Sequence, residues 1–254
     1  MQLCNPKTSR TIDLLNMPIA NILRYTFWGL AALEILAEST EHRALVYWIK
    51  PLLMPTLALW LFFATKHRPP GFLRRTVLAG LGFSTMGDFL LMFAGGPSGA
   101  LFFMLGLGAF LLAHVCYIGG FRSISSFKNG GLRRQPAVVL PFILFLAFFL
   151  WYLHPGIPHG MVGPVNLYAV VITIMALSAW NTRDKVDPAV FYALFSGALL
   201  FMLSDSLIAV NKFRLPFAGA GTWIMLTYLA GQYLIVLGVA RFLAPQSPPI
   251  SSTH

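Results

Sequence analysis

The sequence predicts an all-α fold, a polytopic membrane helix bundle of about eight transmembrane helices. Of its 254 residues, 57% are hydrophobic and only 10% are charged, and the mean hydropathy is +0.72. Soluble domains carry about 25% charged residues. Apolar stretches close to the ~20 residues that a transmembrane helix requires account for most of the chain.

The predicted spans, numbered one to eight, are residues 18–37, 44–63, 73–93, 99–120, 136–153, 161–180, 189–210 and 222–242. Spans three and seven are the best defined, and span five is short. Residues 1–17 are then an N-terminal tail, 18–242 the eight-helix transmembrane domain, and 243–254 a Pro/Ser-rich tail that we expect to be disordered. No small-residue cleavage site follows an apolar core near the start, so span one is expected to be permanent.

The net charge of +10 reflects basic residues in short loops, a pattern typical of membrane topology and not of nucleic-acid binding. Alternate loops place 13 basic residues on the side of both termini and 3 on the other. The first set is Lys7, Arg10, Lys66, Arg68, Arg74, Arg75, Arg122, Lys128, Arg133, Arg134, Arg183, Lys185 and Arg241, and the second is Arg43, Lys212 and Arg214. Both termini are therefore predicted to be cytoplasmic, in a bacterial inner membrane or the endoplasmic reticulum.

Two carboxylates lie inside apolar spans, Asp88 in span three and Asp205 in span seven. A charge at the bilayer centre costs at least ~2.5–3.5 kcal/mol, which indicates either a function or a structural hydrogen bond to a neighbouring helix. Both lie about 16 residues into helices that start on the same side, so equal depth is predicted. A glycine eight residues earlier, Gly80 or Gly197, completes a repeated pattern that suggests two parallel four-helix halves.

Other polar residues in the spans are candidates to support these carboxylates. Ser84 stands one turn before Asp88 and shares its helix face, so it could bind that carboxylate. Lys50 either reaches the interface or serves as a countercharge to an Asp or a lipid phosphate. Glu34, near the end of span one, is as compatible with the interface as with a function. His114, Tyr117, Ser204 and Gln232 are further candidates, and Tyr168, Tyr228, Tyr233 and Asn166 are weaker ones.

Neither a metal nor another cofactor is expected. His114 is the one histidine within a span, whereas a zinc hydrolase needs about three convergent ligands. No nucleophile-elbow, phosphate-loop or dinucleotide motif occurs in a suitable context. Ser204 has no histidine at helical spacing, so a serine hydrolase is not indicated.

An ordered set of short motifs resembles the YhhN/TMEM86 family of integral membrane proteins. It consists of Lys50-Pro51, Gly87-Asp88 with Leu90, Phe110 to His114 with Tyr117, and Gly197 to Asp205 with Lys212-Phe213. These motifs cover spans two to four and seven, and the eight-span layout fits the whole chain.

The resemblance implies lysoplasmalogenase activity, in which the vinyl ether of a membrane lysophospholipid is cleaved. The products would be a fatty aldehyde and glycerophosphoethanolamine or glycerophosphocholine. Such chemistry needs one protonated acid and one ionised base, which Asp88 and Asp205 would supply, although the sequence leaves open which is which. Lys50 and Lys212 would hold the substrate phosphate.

Two other functions also fit paired intramembrane carboxylates. A proton-coupled transporter would use them as a relay. A lipid-binding structural protein would use them as ties between helices. Hydrolysis by protein in detergent distinguishes an enzyme from a carrier, because a carrier acts only across a sealed membrane.

Overall fold

The computed structural model describes residues 6–69 and 71–244, with side chains from residue 19 onward. The described chain is helical, without strands, and eight long helices correspond to the eight predicted spans. The helices are α1 (Pro6–Ser39), α2 (Arg43–Ala64), α3 (Phe72–Leu91), α4 (Gly99–Ile124), α5 (Gly131–Arg134), α6 (Val139–Leu153), α7 (Val162–Trp180), α8 (Pro188–Phe213) and α9 (Ala220–Leu243). Only α5, a single turn in the loop before α6, has no counterpart among the predicted spans.

Seven of the long helices are apolar enough to cross a membrane, and α3 is not among them. The expectation that span three is among the best defined is therefore wrong. Its 20 residues include Arg74, Arg75 and Asp88. Arg74 is nonetheless buried, because its guanidinium donates to Thr65 O (3.1 Å) and lies over the Phe62 ring.

The start of the described chain differs from the predicted N-terminal tail, whereas most of the predicted C-terminal tail is not described. Helix α1 begins at Pro6, so residues 6–17 are helical, and Ile19–Ser39 is the part that qualifies as a span. Helix α9 ends at Leu243, and residues 245–254 of the predicted disordered tail lie outside the described residues.

The closest helix pairs are α3 with α4 and α8 with α9. Glycines allow this approach: a Cβ on Gly197 would lie 2.8 Å from Gly231 O, and one on Gly87 would lie 2.6 Å from the Phe110 ring. The two pairs occupy corresponding places in the two predicted halves, and each contains one of the two aspartates. This arrangement agrees with the predicted repeat.

Loops cluster at the two ends of the bundle. One end, the basic face, carries the loops at 65–69, 125–135 and 181–187, and Asn181 of the last loop bonds to both Ser125 O and Leu132 N of the second. The end of α9 lies beside the last of these loops. At the other end, the opposite face, loops 40–42, 92–98 and 214–219 surround a common depression. Because the number of long helices is even, α1 begins and α9 ends at the basic face.

The flank of the bundle is apolar. Trp48 and Trp151 are 78% and 71% exposed, and α6 buries only Phe142 and Leu153 of its apolar residues. Exposed aromatic and aliphatic side chains are suited to lipid contact. Helix α6 therefore lies at the edge of the bundle, with most of its surface available to the bilayer.

We expect cysteine labelling to place the basic face in the cytoplasm, because it carries most of the loop cations. In a chain with Cys4 and Cys116 replaced by serine, Gly96→Cys reports on the opposite face and Ser126→Cys on the basic face. A membrane-impermeant maleimide applied to intact cells should label only Gly96→Cys in the plasma-membrane orientation. Labelling of Ser126→Cys alone would contradict the predicted topology.

Candidate active site

Asp205 lies in a buried cluster built by three helices. Its Oδ2 atom accepts a short hydrogen bond from the Tyr168 hydroxyl of α7 and lies 3.0 Å from His114 Nε2 of α4. His114 Nε2 is also 2.9 Å from the Tyr168 oxygen, whereas the buried Nδ1 has no partner among the described residues. A neutral histidine that carries its proton on Nε2 satisfies this arrangement. The cluster therefore presents Asp205 as an acceptor of two hydrogen bonds, with Oδ1 left unbonded.

Asp88 lies in a second cluster, between α3 and α9. Its Oδ2 atom accepts a hydrogen bond of 2.8 Å from the Tyr228 hydroxyl. One turn away, Gln232 donates to Ser84 Oγ (3.0 Å) and accepts from Tyr117 OH (2.7 Å). Ser84 is thus held by Gln232 and not by the predicted direct bond to Asp88, because the α9 amide occupies the space between α3 and α4.

Three aromatic rings connect the two clusters. Tyr228 packs edge-on against Phe110 and Phe201, and Phe201 in turn packs against the His114 ring, with centroids 4.6 Å apart. Asp88 of α3 is therefore held by α9, and Asp205 of α8 is held by α4 and α7. The clusters share these rings, and no direct hydrogen bond joins the two carboxylates in the described chain.

An apolar cavity opens beside Asp205, between α4, α6, α7 and α8. Its water-accessible volume is about 50 Å³, within about 670 Å³ of non-atom space that includes its open side. Asp205 and Tyr168 lie in a lining otherwise made almost wholly of apolar side chains, while Asp88 is not part of the lining. From Phe213 to Met202 the cavity follows about three turns of α8, which extends it from the opposite face towards mid-membrane. Its shape and polarity suit an alkyl chain.

A charged group lies between this region and the opposite face. Lys50 Nζ is 3.7 Å from Glu38 Oε1. The positive charge of Lys50 also attracts the carboxyl groups of Glu34 and Asp88. Glu34 is fully buried, and neither of its carboxylate oxygens has a hydrogen-bond partner among the described residues. Glu34 therefore does not extend to the surface of the bundle, which contradicts the alternative in which its side chain reaches the interface.

Two further predicted residues have other roles in the structure. Ser204 donates to Ile224 O (3.0 Å), which ties α8 to α9 directly beside Asp205. The ammonium of Lys212 lies over the Phe103 ring, 5.3 Å from its centroid, at the end of the apolar cavity. Lys212 is thus near the cavity, whereas Ser204 has a packing role.

The described residues contain no group of three His, Cys, Asp or Glu side chains that could hold a metal ion. His114 is instead committed to Asp205 and Tyr168 through one nitrogen. Independence from metal remains a prediction, which a chelator tests.

The tyrosines are the residues that the sequence ranked too low. Tyr168 and Tyr228 donate directly to the two aspartates, although both were only weak candidates. Tyr233 instead stacks on Trp60 and Phe27, and Asn166 lies in a shallow surface pocket beside Trp151. A hydroxyl in an apolar helix needs a buried partner, which was the available signal.

The fold and these clusters define a class: a polytopic membrane protein with two buried, hydrogen-bonded carboxylates, one of which faces an apolar cavity. Comparison with known proteins identifies the family within that class. The YhhN family matches residues 45–239, a range that contains both clusters and Lys50. The chain belongs to the YhhN family.

Similar proteins share a common description. A lysoplasmalogenase of Mycobacterium bovis is 31% identical over 203 residues, which are 80% of this chain and 73% of that protein. The lysoplasmalogenase TMEM86A of Bos taurus is 30% identical, over 78% of this chain and 81% of its own. The human lysoplasmalogenase TMEM86B is 33% identical over 57% of each chain. No solved structure matches significantly.

Proposed function

We propose that this protein is a membrane-embedded hydrolase that cleaves the vinyl ether bond of lysoplasmalogens. The observation that carries the proposal is Asp205, a carboxylate with two hydrogen-bond donors at the wall of an apolar cavity that is open on one side. The names of similar proteins from bacteria and mammals agree with this substrate.

Vinyl ether hydrolysis is acid–base chemistry. A proton adds to the carbon β to the ether oxygen, which leaves an oxocarbenium ion at the adjacent carbon. Water then attacks that carbon and loses a proton, and the resulting hemiacetal collapses to a fatty aldehyde and the glycerol hydroxyl. One water is consumed overall and the catalytic proton is returned, so the reaction balances without a redox cofactor.

The hydrogen bonds suggest different roles for the two aspartates. Donors aimed at a carboxylate favour its ionised form, and Asp205 has two while Asp88 has one. We assign to Asp205 the role of the group that stabilises the oxocarbenium ion and accepts a proton from the attacking water. Asp88 is the protonated member, which donates to carbon.

Helix α3 provides a place where both aspartates can act. Leu91 lines the apolar cavity and also the depression on the opposite face, and it lies one turn after Asp88. A substrate that passes Leu91 would therefore approach both Asp88 on α3 and Asp205 on α8. The Phe110 ring, which packs on Gly87, must turn aside for Asp88 to reach the substrate.

We expect purified protein in detergent to release fatty aldehyde from lysoplasmalogen and to continue to do so in the presence of a chelator. The diacyl and saturated-ether analogues should not react, because neither can form an oxocarbenium ion by protonation at carbon. Aldehyde is measured by coupling to an alcohol dehydrogenase.

Two outcomes of this assay would contradict the proposal. Absence of aldehyde from folded protein, together with substrate-driven proton flux in sealed vesicles, would favour the carrier. Loss of activity with a chelator and its specific recovery with zinc would replace the two-carboxylate chemistry with a metal mechanism.

A further inference from the structure

A second, polar cavity lies at the opposite face, and we call it the vestibule. Its volume is about 2020 Å³ including the open mouth, and it is enclosed by the ends of α1, α2, α3, α4, α8 and α9 with their loops. The lining contains two carboxylates, Glu38 and Glu41, and two cations, Arg43 and Lys50. Its charges and its position at the end of the bundle contrast with the apolar cavity inside.

The vestibule and the apolar cavity adjoin each other. Leu91 belongs to the walls of both, and on α4 the neighbouring residues Phe102 and Phe103 line the vestibule and the cavity, respectively. A molecule with a charged end and a long apolar end would fit the two spaces together. The combined space is therefore polar at one end and apolar at the other, and its two parts meet at Leu91.

The charges of the vestibule match a phosphate and an ammonium group placed close together. Lys50 is partly exposed, at 16%, and its contact with Glu38 is long, at 3.7 Å. A phosphate could approach the ammonium of Lys50 without the loss of a tight ion pair. Glu38, which lies beside Lys50, could then face the ammonium of a zwitterionic head group.

The depths of the two sites are consistent with a lysophospholipid. Lys50 lies seven residues after the start of α2, and Asp205 lies eight residues before the end of α8, so their Cα atoms are about 10 and 12 Å below the opposite face at ~1.5 Å per residue. The long lysine side chain reaches back towards the interface. This leaves a short vertical separation between ammonium and carboxylate, which the glycerol unit of the lipid spans.

Building on the proposed hydrolysis, we propose that the vestibule is the head-group subsite. The phosphate binds Lys50, the glycerol passes Leu91, and the alkenyl chain lies in the apolar cavity. The substrate is therefore taken from the leaflet at the opposite face, away from the basic face where α9 ends.

Head-group recognition is tested with two substrates in detergent, a lysoplasmalogen and the 1-alkenylglycerol that lacks the phosphate. Lys50→Met keeps most of the side-chain length and removes the charge. It should raise KM for the lysoplasmalogen by tenfold or more and leave KM for the alkenylglycerol unchanged. Because the charge of Lys50 also acts on Asp88, any change in kcat should be the same for both substrates. Arg134→Gln is the matched control, since it removes one charge from an exposed residue on the basic face. It should leave both substrates unaffected.

The subsite would be overturned if Lys50→Met changed KM equally for both substrates, or changed KM for neither, in protein with an unchanged melting temperature. Such a result leaves the hydrolysis itself intact, because wild-type protein would still release aldehyde. Absence of aldehyde from the wild type would instead remove the function on which the subsite depends.

The leaflet is tested with sealed vesicles and the Cys-free chain that carries Gly96→Cys, at the vestibule rim, or Ser126→Cys, on the basic face. Substrate is added from outside after treatment with a bulky, impermeant maleimide. Modification of Gly96→Cys should abolish hydrolysis of the added substrate, and modification of Ser126→Cys should not. The reverse pattern would place substrate entry at the basic face and overturn the inference.

Discussion

Replacement of Asp205 or Asp88 by asparagine should lower turnover of lysoplasmalogen by about 10²–10⁴-fold, the usual contribution of general acid–base catalysis. Asparagine preserves the shape of the side chain and an oxygen that can accept from Tyr168 or Tyr228, but it cannot titrate. The variants should therefore fold and insert with little change in melting temperature. The rate is measured as aldehyde release per folded molecule.

The double variant should be little worse than the weaker single variant, because residues that act in one step are not additive. The pH–rate profile should be a bell in the wild type and lose one limb in a variant that retains measurable turnover. Asp184→Asn is a matched control, since it removes a carboxylate that pairs with Arg134 at the basic face. It should leave turnover unchanged.

A structural role for the two aspartates predicts the reverse pattern. Tyr228 joins α9 to α3 through Asp88, and Tyr168 joins α7 to α8 through Asp205. If these bonds serve only to hold helices together, each asparagine variant should melt at a lower temperature and keep normal turnover per folded molecule. Measurement of both quantities on one preparation decides between the two roles.

One property of membrane helices made both the helical bundle and its buried carboxylates predictable from the sequence. Membrane helices require long apolar stretches, so the few charges within them are conspicuous. Asp88 and Asp205 were identified in this way. So was His114, which lies beside Asp205. The same rule misjudged α3, whose arginines begin the helix at the basic face and whose Arg74 is buried through backbone carbonyls.

The partners of the carboxylates depended on tertiary contacts that no local pattern records. Tyr168 and Tyr228 are ordinary residues of apolar helices until α7 and α9 pack against α8 and α3. Glu34 lies near the end of α1, where an interfacial position is the usual expectation, but packing against adjacent helices buries it completely. The apolar cavity was equally unpredictable, because its lining consists of the same residue types as the core.

Packing of α8 on α9 positions Asp205. Gly197→Ala should weaken this packing and so lower the free energy of unfolding. The new Cβ would lie 2.8 Å from both Gly231 O and Ile235 N, which are backbone atoms that cannot turn aside. The two helices must therefore separate, and overpacking of this kind costs about 1–3 kcal/mol. The cost exceeds the gain of about 0.5–1 kcal/mol that alanine brings to a helix.

Gly82→Ala provides the control of opposite sign. Gly82 lies within α3, and a Cβ there meets no atom within 4 Å, so only the gain in helix propensity remains. Thermal unfolding in one detergent should show a lower melting temperature for Gly197→Ala and an equal or higher one for Gly82→Ala. Because the separation also moves Ser204 away from Ile224 O, Gly197→Ala should lose turnover through displacement of Asp205. Equal melting temperatures for the two variants would show that α8 and α9 are not in close contact at Gly197 and Gly231.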